Sequence, residues 1–539
     1  MPDTSEPEFD AIIVGAGING LSLLHRLRDE LDLSVRVFEA GADLGGTWFF
    51  NRYPGARLDS ESFTYGYLFS EEIFRGWDWP ERYASQTDVE RYLHYAAELL
   101  DLRRSIDFNA KVASAAYLAE ENLWAVILAS GQAVRCRYLI TALGTESVPY
   151  LPEGLVGLET FEGVWHHTAS WPQEPVDFTG KRVAVMGTGS SGVQVITEVA
   201  KSAAQLTVLQ RSPNYCAPLR NSVLSAEEQA ELDDRRLAIA DLCNRSYVGF
   251  AYEWDSRSGL DLTAEQRREV YEQLWQRPGF AKWHAGFSEV YSDAAINEEY
   301  GAFVREKIRE RVSDPVVAER LTPTYAFSTR RVPMDSGYYE VYNQDNVELI
   351  DIKATPIDRF VPAGAIIDGR LHEFDIIVFA TGFDAFTGAF NKIDITGLDG
   401  LKLTEHWGDG PRTLLGIAVH KFPNFLMLTG PHNKGVFCNV PICGEQNIRW
   451  VTDLLSHLRE SGYSYLEATA EAEQEWGEHV IELYEKTMLA RSGTESYFTG
   501  VNVPGKKVTA YGYFGSLPQY AARCDEVAEA AYKEHFVVR

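Results

Sequence analysis

The chain has 539 residues, of which 45% are hydrophobic and 12% aromatic, so it is long enough for two or three folded domains and unlike a disordered protein. Its 50 basic and 78 acidic residues give a net charge of −28, which disfavours nucleic acids and anionic membrane surfaces as partners. The first residues are acidic and we find no apolar stretch of about 18 residues, so we expect a cytoplasmic protein that is neither exported nor inserted in a membrane.

The first predicted unit is a strand, a glycine-rich turn, a helix and a second strand. It comprises strand 10–14, the glycines Gly15, Gly17 and Gly20, helix 21–31 and strand 34–39. The first glycine of such a turn allows a tight bend, the second admits a pyrophosphate, and the third lets helix and strand pack closely. The unit ends in Glu39, whose carboxylate accepts hydrogen bonds from a free ribose and repels a 2′-phosphate. The unit therefore predicts a site for FAD or NAD.

The same plan returns later in the chain. The second unit comprises strand 182–186, a helix to about 202, strand 205–211 and the turn residues Gly187, Thr188, Gly189, Ser190, Ser191 and Gly192. Arg211 stands where the first unit has Glu39, and Ser212 follows it. These side chains favour a 2′-phosphate through charge-assisted hydrogen bonds, so this unit predicts NADP. Two different dinucleotides on one chain imply electron transfer between them.

The remaining segments indicate how the two units are connected. Residues 138–144 and 375–382 are predicted strands that end in small residues, where we expect the chain to cross between domains, and residues 222–320 are charged and helical. We predict an α/β fold with two Rossmann-like dinucleotide-binding domains and a helical insertion. The expected parts are 1–145 and 382–539 for FAD, 146–221 and 321–381 for NADP, and 222–320 for the insertion.

The six cysteines are scattered, with no C-x-x-C pair and no metal-type cluster. We expect reduced thiols and no bound metal. Cys438 and Cys443 are the one close pair, and we expect them to pack in the interior or to line a pocket rather than to form a disulfide.

A specific fingerprint lies between the two units. Residues 161–172 match F-x-G-x-x-x-H-x-x-x-W-P through Phe161, Gly163, His167, Trp171 and Pro172. A second block reads G-G-T-W at 45–48 and Y-P-G-A-R-L-D at 53–59. In these motifs the chain resembles the Baeyer–Villiger monooxygenases, and the resemblance runs from about residue 10 to about 515.

The resemblance implies a function. Members of this family bind FAD and NADPH and use O2 to convert ketones to esters or lactones through a C4a-peroxyflavin. We therefore expect a small-molecule ketone and O2 as the reactants, with the oligomeric state left open. The resemblance also implies that His167 lies on the interdomain linker and couples nicotinamide binding to domain position.

The resemblance further implies where the reactive charge lies. Arg331, which stands ahead of a Tyr-Tyr-Glu element at 338–340, is the expected catalytic cation, because a guanidinium cannot lose its proton to the anion that it stabilises. Asp59 is expected to hold Arg331 through a bidentate pair and to stay ionised by that pairing.

The family pattern assigns two sets of cofactor-binding residues. The expected FAD set is Gly15, Gly17, Gly20, Glu39, Gly46, Thr47, Trp48, Asp59, Tyr65 and Val112. Arg57 and Val440 are also expected to bind a cofactor. The expected NADPH set is Gly187, Thr188, Gly189, Ser190, Ser191, Gly192, Gln194, Arg211, Ser212, Arg330 and Arg331.

The chain departs from the family pattern in three places. Arg330 stands where lysine is usual, which keeps the charge, and Tyr497 stands where tryptophan is common. In the loop at 430–441 the unusual residues are His432, Asn433, Lys434 and Phe437. Within that loop Val436, Phe437 and Cys438 are expected to line the substrate pocket, with a structural role equally open for Phe437 and Cys438.

Three other functions compete with ketone oxidation. A flavin monooxygenase that oxidises amine nitrogen or sulfide sulfur would use the same two dinucleotide sites. A flavin disulfide reductase would need a redox-active cysteine pair beside the flavin, and the sequence has no C-x-x-C. A redox sensor without catalytic activity would bind both cofactors and consume no oxygen.

Overall fold

A computed structural model describes residues 6–433 and 435–539. Its secondary structure is mixed α/β, with parallel strands at the centre of both large sheets. The strands in chain order are β1 Phe9–Val14, β2 Val35–Phe38, β3 Ile106–Asp107, β4 Val112–Leu118, β5 Leu123–Leu128, β6 Ala133–Thr141, β7 Val164–His167, β8 Arg182–Met186, β9 Gln205–Gln210, β10 Ala217–Pro218, β11 Met334–Asp335, β12 Val347–Asp351, β13 Ile357–Val361, β14 Gly364–Ile367, β15 Arg370–Glu373, β16 Ile376–Phe379, β17 Asp394–Thr396, β18 Phe425–Met427, β19 Leu466–Ala468 and β20 Phe536–Val538.

The helices surround these sheets. The α-helices are α1 Ile18–His25, α2 Thr47–Phe50, α3 Ser62–Tyr65, α4 Glu71–Arg75, α5 Gln86–Leu99, α6 Ser190–Val199, α7 Ala226–Asp234, α8 Arg236–Arg245, α9 Ala264–Trp275, α10 Ala281–His284, α11 Ala294–Arg309, α12 Pro315–Arg320, α13 Leu403–His406, α14 Val440–Glu460, α15 Ala470–Glu485, α16 Met488–Ser492 and α17 Leu517–Glu529. A π-helical segment, Arg26–Glu30, continues α1, and 3₁₀ turns occur at Arg103–Ser105, Leu158–Thr160, Thr168–Ser170, Gly259–Asp261, Ser288–Tyr291, Glu340–Asn343, Phe390–Lys392, Leu398–Gly400 and Tyr497–Thr499.

The larger sheet is built from both ends of the chain. Its order is β17-β4-β5-β6-β1-β2-β3, and β18 also pairs with β6. Strand β1 lies parallel between β2 and β6, whereas β4, β5 and β6 form an antiparallel meander. Because β1 is flanked on both sides and covered by helices, its residues from Ala11 to Val14 are apolar and buried.

The second sheet comes from the middle of the chain. Its order is β12-β9-β8-β16-β7, and all of its pairings are parallel. Strand β8 lies beside both β9 and β16, as β1 lies beside β2 and β6 in the first sheet. Together the two sheets confirm the expected α/β fold with two dinucleotide-binding domains.

The chain crosses between the sheets twice, after β6 and after β16. The two crossing segments pair with each other, because Tyr150 N–H donates to the Gly382 carbonyl at 2.9 Å and Asp384 N–H donates to the Val148 carbonyl at 3.0 Å. Residues 145 and 382 lie in these crossings, and we keep them as the proposed domain boundaries.

Residues 222–320 contain helices α7 to α12 and no strand in this fully described stretch. Ser225 and Thr263 each form a complete capping box at the start of α7 and α9, as the capping signals in the sequence predict. The insertion supplies Phe280 and Trp283 to the wall of the main cavity. Among the described residues, no helix combines the length and apolar character that a membrane span requires.

One predicted boundary is wrong. The helix after the first glycine turn begins at Ile18, three residues before the predicted start at residue 21, and its regular part ends at His25. Gly20 therefore lies inside the helix, where close packing requires it: a Cβ at Gly20 would lie 2.0 Å from the Gly15 carbonyl oxygen. Tertiary packing here outweighs the low helix propensity of glycine.

Candidate active site

One cavity of about 1070 Å³ runs past both glycine turns. The turns follow parallel strands of the two sheets, and ligands of such sheets bind at the carboxyl ends of the strands. The cavity is lined by Gly15 and Gly17 from the first turn and by Gly187 and Gly189 from the second. Both predicted dinucleotide sites therefore open into a single space.

The first glycine turn is closely packed. Gly15 has φ +110°, and a Cβ there would lie 2.6 Å from the Ala142 carbonyl oxygen. A Cβ at Gly46 would lie 2.9 Å from the Cα of Gly17, so the G-G-T-W segment covers the turn. The N-cap of α1 is Gly17, which has no side chain to cap the helix, so its first N–H groups are available to a pyrophosphate.

Glu39 lies at the far side of this turn, and only 5% of the residue is exposed. Its carboxylate accepts hydrogen bonds from the N–H groups of Ala16 at 2.7 Å and Gly41 at 2.6 Å. Burial raises the pKa of Glu39 above its ordinary value, and these N–H groups pull it back. Each oxygen keeps a second lone pair, so the fixed carboxylate suits a ribose hydroxyl as donor.

The second glycine turn has the same skeleton but an open centre. A Cβ at Gly187 would lie 2.3 Å from the Ala380 carbonyl oxygen, and one at Gly192 would lie 2.1 Å from the Gly187 carbonyl oxygen. A Cβ at Gly189 would meet nothing within 4 Å. Gly189 is also the N-cap of α6, so this turn offers an uncapped helix N-terminus to open space.

Basic side chains lie at the end of the second turn. Arg211, Ser212 and Arg330 all line the cavity. A hydrogen bond of 3.3 Å joins Arg330 Nη1 to Ser212 Oγ, and the guanidinium of Arg330 lies 4.6 Å from the ring centre of Tyr325. Thr188 Oγ1 donates to the Ser212 carbonyl at 2.9 Å. These contacts bring the expected 2′-phosphate partners to one place.

Aromatic residues and a helix start line the other end of the cavity. Trp48 Nε1 donates to Tyr65 Oη at 3.1 Å, and the two rings meet edge to face with centroids 5.6 Å apart. Val112 begins β4 and Val440 begins the 21-residue helix α14, and both line the cavity with Thr47. Flat rings and the positive end of a helix dipole fit an isoalloxazine ring system.

Arg331 and Asp59 form an ion pair at the cavity wall. Arg331 Nη2 donates to Asp59 Oδ2 at 2.8 Å. The Asp59 side chain is 3% exposed and that of Arg331 is 43% exposed. Burial alone would lower the pKa of Arg331, but Asp59, Tyr497 and Glu146 raise it above the ordinary value, so the guanidinium stays charged.

The expected bidentate pair is wrong, because one hydrogen bond joins these side chains. Asp59 Oδ1 is buried and has no hydrogen-bond partner among the described residues, while the Arg331 side chain stays partly exposed. Burial raises the pKa of Asp59 above its ordinary value, and Arg331 opposes that rise.

His167 ties together the two chain crossings. Its Nδ1 accepts from Ala169 N–H at 3.0 Å, so Nε2 carries the proton and faces the Tyr150 carbonyl at 3.3 Å and Thr381 Oγ1 at 3.3 Å. Burial lowers the pKa of His167, so the imidazole is neutral near pH 7. Tyr150 lies in the first crossing and Thr381 in the second.

The other fingerprint residues connect the two sheets by packing. A Cβ at Gly163 would lie 2.4 Å from Cζ of Phe161, so Gly163 makes room for that ring. Trp171 N–H donates to the Phe50 carbonyl at 3.2 Å, and its ring meets Tyr53. Pro172 follows directly. The fingerprint thus joins the second sheet to the segment around α2.

Gln194, on α6, also connects the second dinucleotide domain to the block at 53–59. Its Nε2 donates to the Arg57 carbonyl at 3.1 Å, and its Oε1 accepts from Tyr53 Oη at 2.9 Å. The Arg57 side chain faces Glu81 at 3.4 Å. The Y-P-G-A-R-L-D block that ends in Asp59 is therefore fixed against the second dinucleotide domain.

The loop before α14 forms the far wall of the cavity through Val436, Phe437 and Cys438. The expectation that Cys438 and Cys443 pack as separate thiols is wrong, because the structure joins them in a disulfide with Cα atoms 6.4 Å apart. The turn from loop into helix brings the two residues within bridging range. Lys434, one of the unusual loop residues, lies outside the described residues.

Many residues that line the cavity were not assigned to the site from the sequence. Tyr53, Glu146 and Phe280 are three of them. Glu146 follows the end of β6, and side chains after parallel strands meet at the ligand edge of a sheet, so its position was the signal. Phe280 lies on the insertion, and nothing in its local pattern marks it.

The chain matches a family model described as "Flavin-binding monooxygenase-like" over residues 10–218. It is 40% identical over 534 residues to a 2-oxo-Δ3-4,5,5-trimethylcyclopentenylacetyl-CoA monooxygenase of Pseudomonas putida, covering 98% of each chain. It is 39% identical to a Baeyer–Villiger monooxygenase of Pseudooceanicola batsensis, covering 97% of this chain and 95% of that one. A crystal structure of OTEMO in complex with FAD and NADP superimposes with a TM-score of 0.95 at 39% identity, covering 99% of this chain and 100% of the other.

Proposed function

Because the chain belongs to the Baeyer–Villiger monooxygenases, we propose that its oxygenation chemistry takes place beside Arg331, which Asp59 holds in the shared cavity. The protein is an FAD-dependent enzyme that uses NADPH and O2 to convert ketones to esters or lactones. The observation that carries the proposed site is that one cavity is lined by both glycine turns and by the Arg331 and Asp59 ion pair.

We propose that the two cofactors divide this cavity. FAD lies along the first turn, with Glu39 on its ribose and Trp48 and Tyr65 near its ring system. NADPH lies along the second turn, with Arg211, Ser212 and Arg330 on its 2′-phosphate. When bound, reduced FAD would supply the electrons that activate O2, and O2 would supply the oxygen atom that enters the ketone.

We assign the main electrostatic work to Arg331. Its guanidinium is permanently charged and partly exposed to the cavity, so it stabilises negative charge on oxygen atoms during transfer without taking up or losing a proton. The charge acts more strongly as the cofactors exclude water from the cavity. Asp59 fixes one edge of the guanidinium and leaves the others free to face the reactants.

We propose that His167 positions the two domains for this reaction. Its neutral ring reaches both crossings, so a ligand that moves one domain relative to the other must rearrange these hydrogen bonds. Gln194 and Trp171 make independent contacts across the same boundary. Together they couple the second dinucleotide domain to the block that carries Asp59.

For the substrate we propose cyclic ketones as the first class to examine. Support comes from the P. putida relative, whose name describes a ketone on a five-membered ring, and from the aromatic wall formed by Phe280, Trp283 and Phe437. We also propose that the enzyme works in the cytoplasm, where NADPH is regenerated, without nucleic-acid or membrane partners.

The test is product analysis. Purified protein loaded with FAD is mixed with NADPH and with cyclopentanone, cyclohexanone, acetone or a thioether, and each product is identified by mass. We expect NADPH consumption that depends on ketone and a product heavier by one oxygen atom. Oxygenation of the thioether with no ester or lactone from any ketone would contradict ketone oxidation and favour the heteroatom oxygenase.

A further inference from the structure

A carboxylate with unused hydrogen-bonding capacity lines the cavity at Glu146. This residue lies in the first crossing, five residues after the end of β6. The residue is partly buried, and the cavity that it lines also contains Arg331, Tyr53 and Tyr497. Glu146 therefore lines the space that we propose for the ketone and the nicotinamide dinucleotide.

One phenol lies beside this carboxylate, because Tyr497 and Glu146 line the same cavity. Burial together with the charge of Glu146 raises the pKa of Tyr497, which keeps this phenol protonated. Arg331 is near enough for an electrostatic interaction, but its hydrogen bond goes to Asp59. Within residues 6–433 and 435–539, no lysine or arginine forms an ion pair with Glu146.

This arrangement leaves acceptor sites directed to the cavity. A carboxylate has about four acceptor positions, which is more than the one phenol beside it can fill. A partly buried carboxylate that forms no close ion pair loses free energy of hydration unless donors replace the water. When the cofactors displace water from the cavity, a donor on a bound molecule takes its place.

We propose that Glu146, which lies beside Tyr497 in the cavity wall, is a specificity-determining residue that accepts a hydrogen bond from a hydroxyl or ammonium group of a molecule bound in the cavity. This inference rests on the proposed function, because it assumes that ketones enter the cavity. It also predicts discrimination against ketones that carry a carboxylate on the same side, since two anions repel.

Such a donor has two sources, the ketone substrate and the ribose or carboxamide of NADP. Either donor would bind to the Glu146 carboxylate, but the loss of Glu146 has a different effect in each case. Selection between ketones changes in the first case, and dinucleotide affinity changes in the second.

The experiment compares Glu146→Gln and Glu146→Met with the wild-type protein, all loaded with FAD. The control is Glu529→Gln, which removes an exposed carboxylate on α17, remote from the cavity. The ketone pairs are 3- and 4-hydroxycyclohexanone against 3- and 4-methylcyclohexanone, with 4-aminocyclohexanone as the ammonium probe. We measure the ratio of kcat/KM within each pair, and by calorimetry the Kd of NADP⁺ and of each ketone.

For a substrate donor we expect Glu146→Met to lower the hydroxyl-to-methyl ratio of kcat/KM by about tenfold or more, as loss of a charged hydrogen bond does. Glu146→Gln should lower it less, because an amide oxygen still accepts, but should remove the preference for the ammonium probe. For a donor on the dinucleotide, the Kd of NADP⁺ should rise in both variants while the ratio stays constant. Either pattern supports the proposal.

The proposal is overturned if both variants match Glu529→Gln in every ratio and every Kd. A Glu146→Met protein that loses FAD leaves Glu146→Gln and the ammonium probe as the test. If the wild-type protein converts no ketone, the proposed function fails, yet calorimetric binding of the hydroxylated and methylated ketones still decides whether Glu146 selects a donor.

Discussion

The two glycine turns share one backbone plan and differ in what surrounds it. In the first, Gly46 closes over Gly17, and Glu39 is buried and fixed by backbone N–H groups. In the second, Gly189 faces open space and Arg211 is exposed. A closed turn with a buried recognition group suits a cofactor that stays bound, whereas an open turn with exposed charges suits one that enters and leaves.

This comparison shows where selectivity resides in a repeated motif. The first and third glycines of both turns are fixed by contacts with backbone, so they determine the fold of the turn and not the ligand. We propose that the ligand is chosen by the residue that follows the second strand, Glu39 or Arg211, and by whether a neighbouring segment covers the central glycine. One supersecondary structure can therefore serve both a resident and an exchanging dinucleotide.

The largest expected effect concerns Arg331, in the cavity that both turns line. Replacing Arg331 with alanine should lower ketone conversion about 10²- to 10³-fold, because it removes the charge placed to stabilise oxygen anions. Reduction of FAD by NADPH should continue, since both turns remain intact. The measurement is single-turnover flavin reduction beside product yield.

Arg523→Ala is the matched control, because Arg523 pairs with Glu526 on the surface of α17. It should retain the wild-type product yield. Arg331→Lys keeps a positive charge but loses the planar donor set. We therefore expect its product yield to lie between the yields of Arg331→Ala and Arg523→Ala. Full ester formation by Arg331→Ala would remove this residue from the proposed chemistry.

The next largest effect is expected at Arg211, the charged residue that distinguishes the second turn from the first. Arg211→Ala should raise KM for NADPH about 10- to 100-fold, the range expected when a charged hydrogen bond to phosphate is lost. KM for NADH should change little, because NADH has no 2′-phosphate. Steady-state rates with each coenzyme measure this, and an equal change for both would show that Arg211 does not read the phosphate.

Much of the fold and part of the site were predictable from the sequence. The glycine turns, Glu39 and Arg211 act through local geometry, so spacing alone placed them. The Arg331 and Asp59 pair joins residues 272 positions apart, and only the family motifs brought them together. The bidentate geometry and the separate thiols at Cys438 and Cys443 were wrong, because the orientation of a side chain and the path of a loop depend on tertiary packing.

A smaller effect tests whether the closed and open turns differ in packing. Gly46→Ala places a Cβ 2.9 Å from Gly17 at φ +55°, so we expect a lower Tm and a loss of bound FAD, at a cost of about 1–3 kcal/mol. Gly189→Ala has open space and should keep Tm and FAD content. Flavin absorbance per protein and thermal unfolding measure both.

The two variants also separate folding from ligand approach. Although Gly189→Ala folds normally, its methyl group enters the space expected for the pyrophosphate, so the Kd of NADP⁺ should rise. If Gly46→Ala retained full FAD and Tm while Gly189→Ala lost FAD, the assignment of the closed turn to FAD would be reversed.

The smallest expected effect is the pH dependence of the free energy of unfolding that Asp59 causes. Because burial raises the pKa of Asp59 above 3.8 even beside Arg331, the folded protein binds this proton more tightly than the unfolded chain does. The raised pKa stabilises the fold at acid pH, and this contribution is lost as pH rises through the folded pKa. Asp59→Asn should therefore increase the stability of the apoprotein above that pH and leave it unchanged below that pH. Ketone conversion should fall at every pH, because Arg331 loses its anchor.

Thermal unfolding from pH 4 to pH 8 measures the change in stability, and product yield measures the change in ketone conversion. A variant that is less stable than wild type at pH 8 by the same margin as at pH 4 would show that the ion pair, and not the burial of Asp59, dominates the free energy at this site.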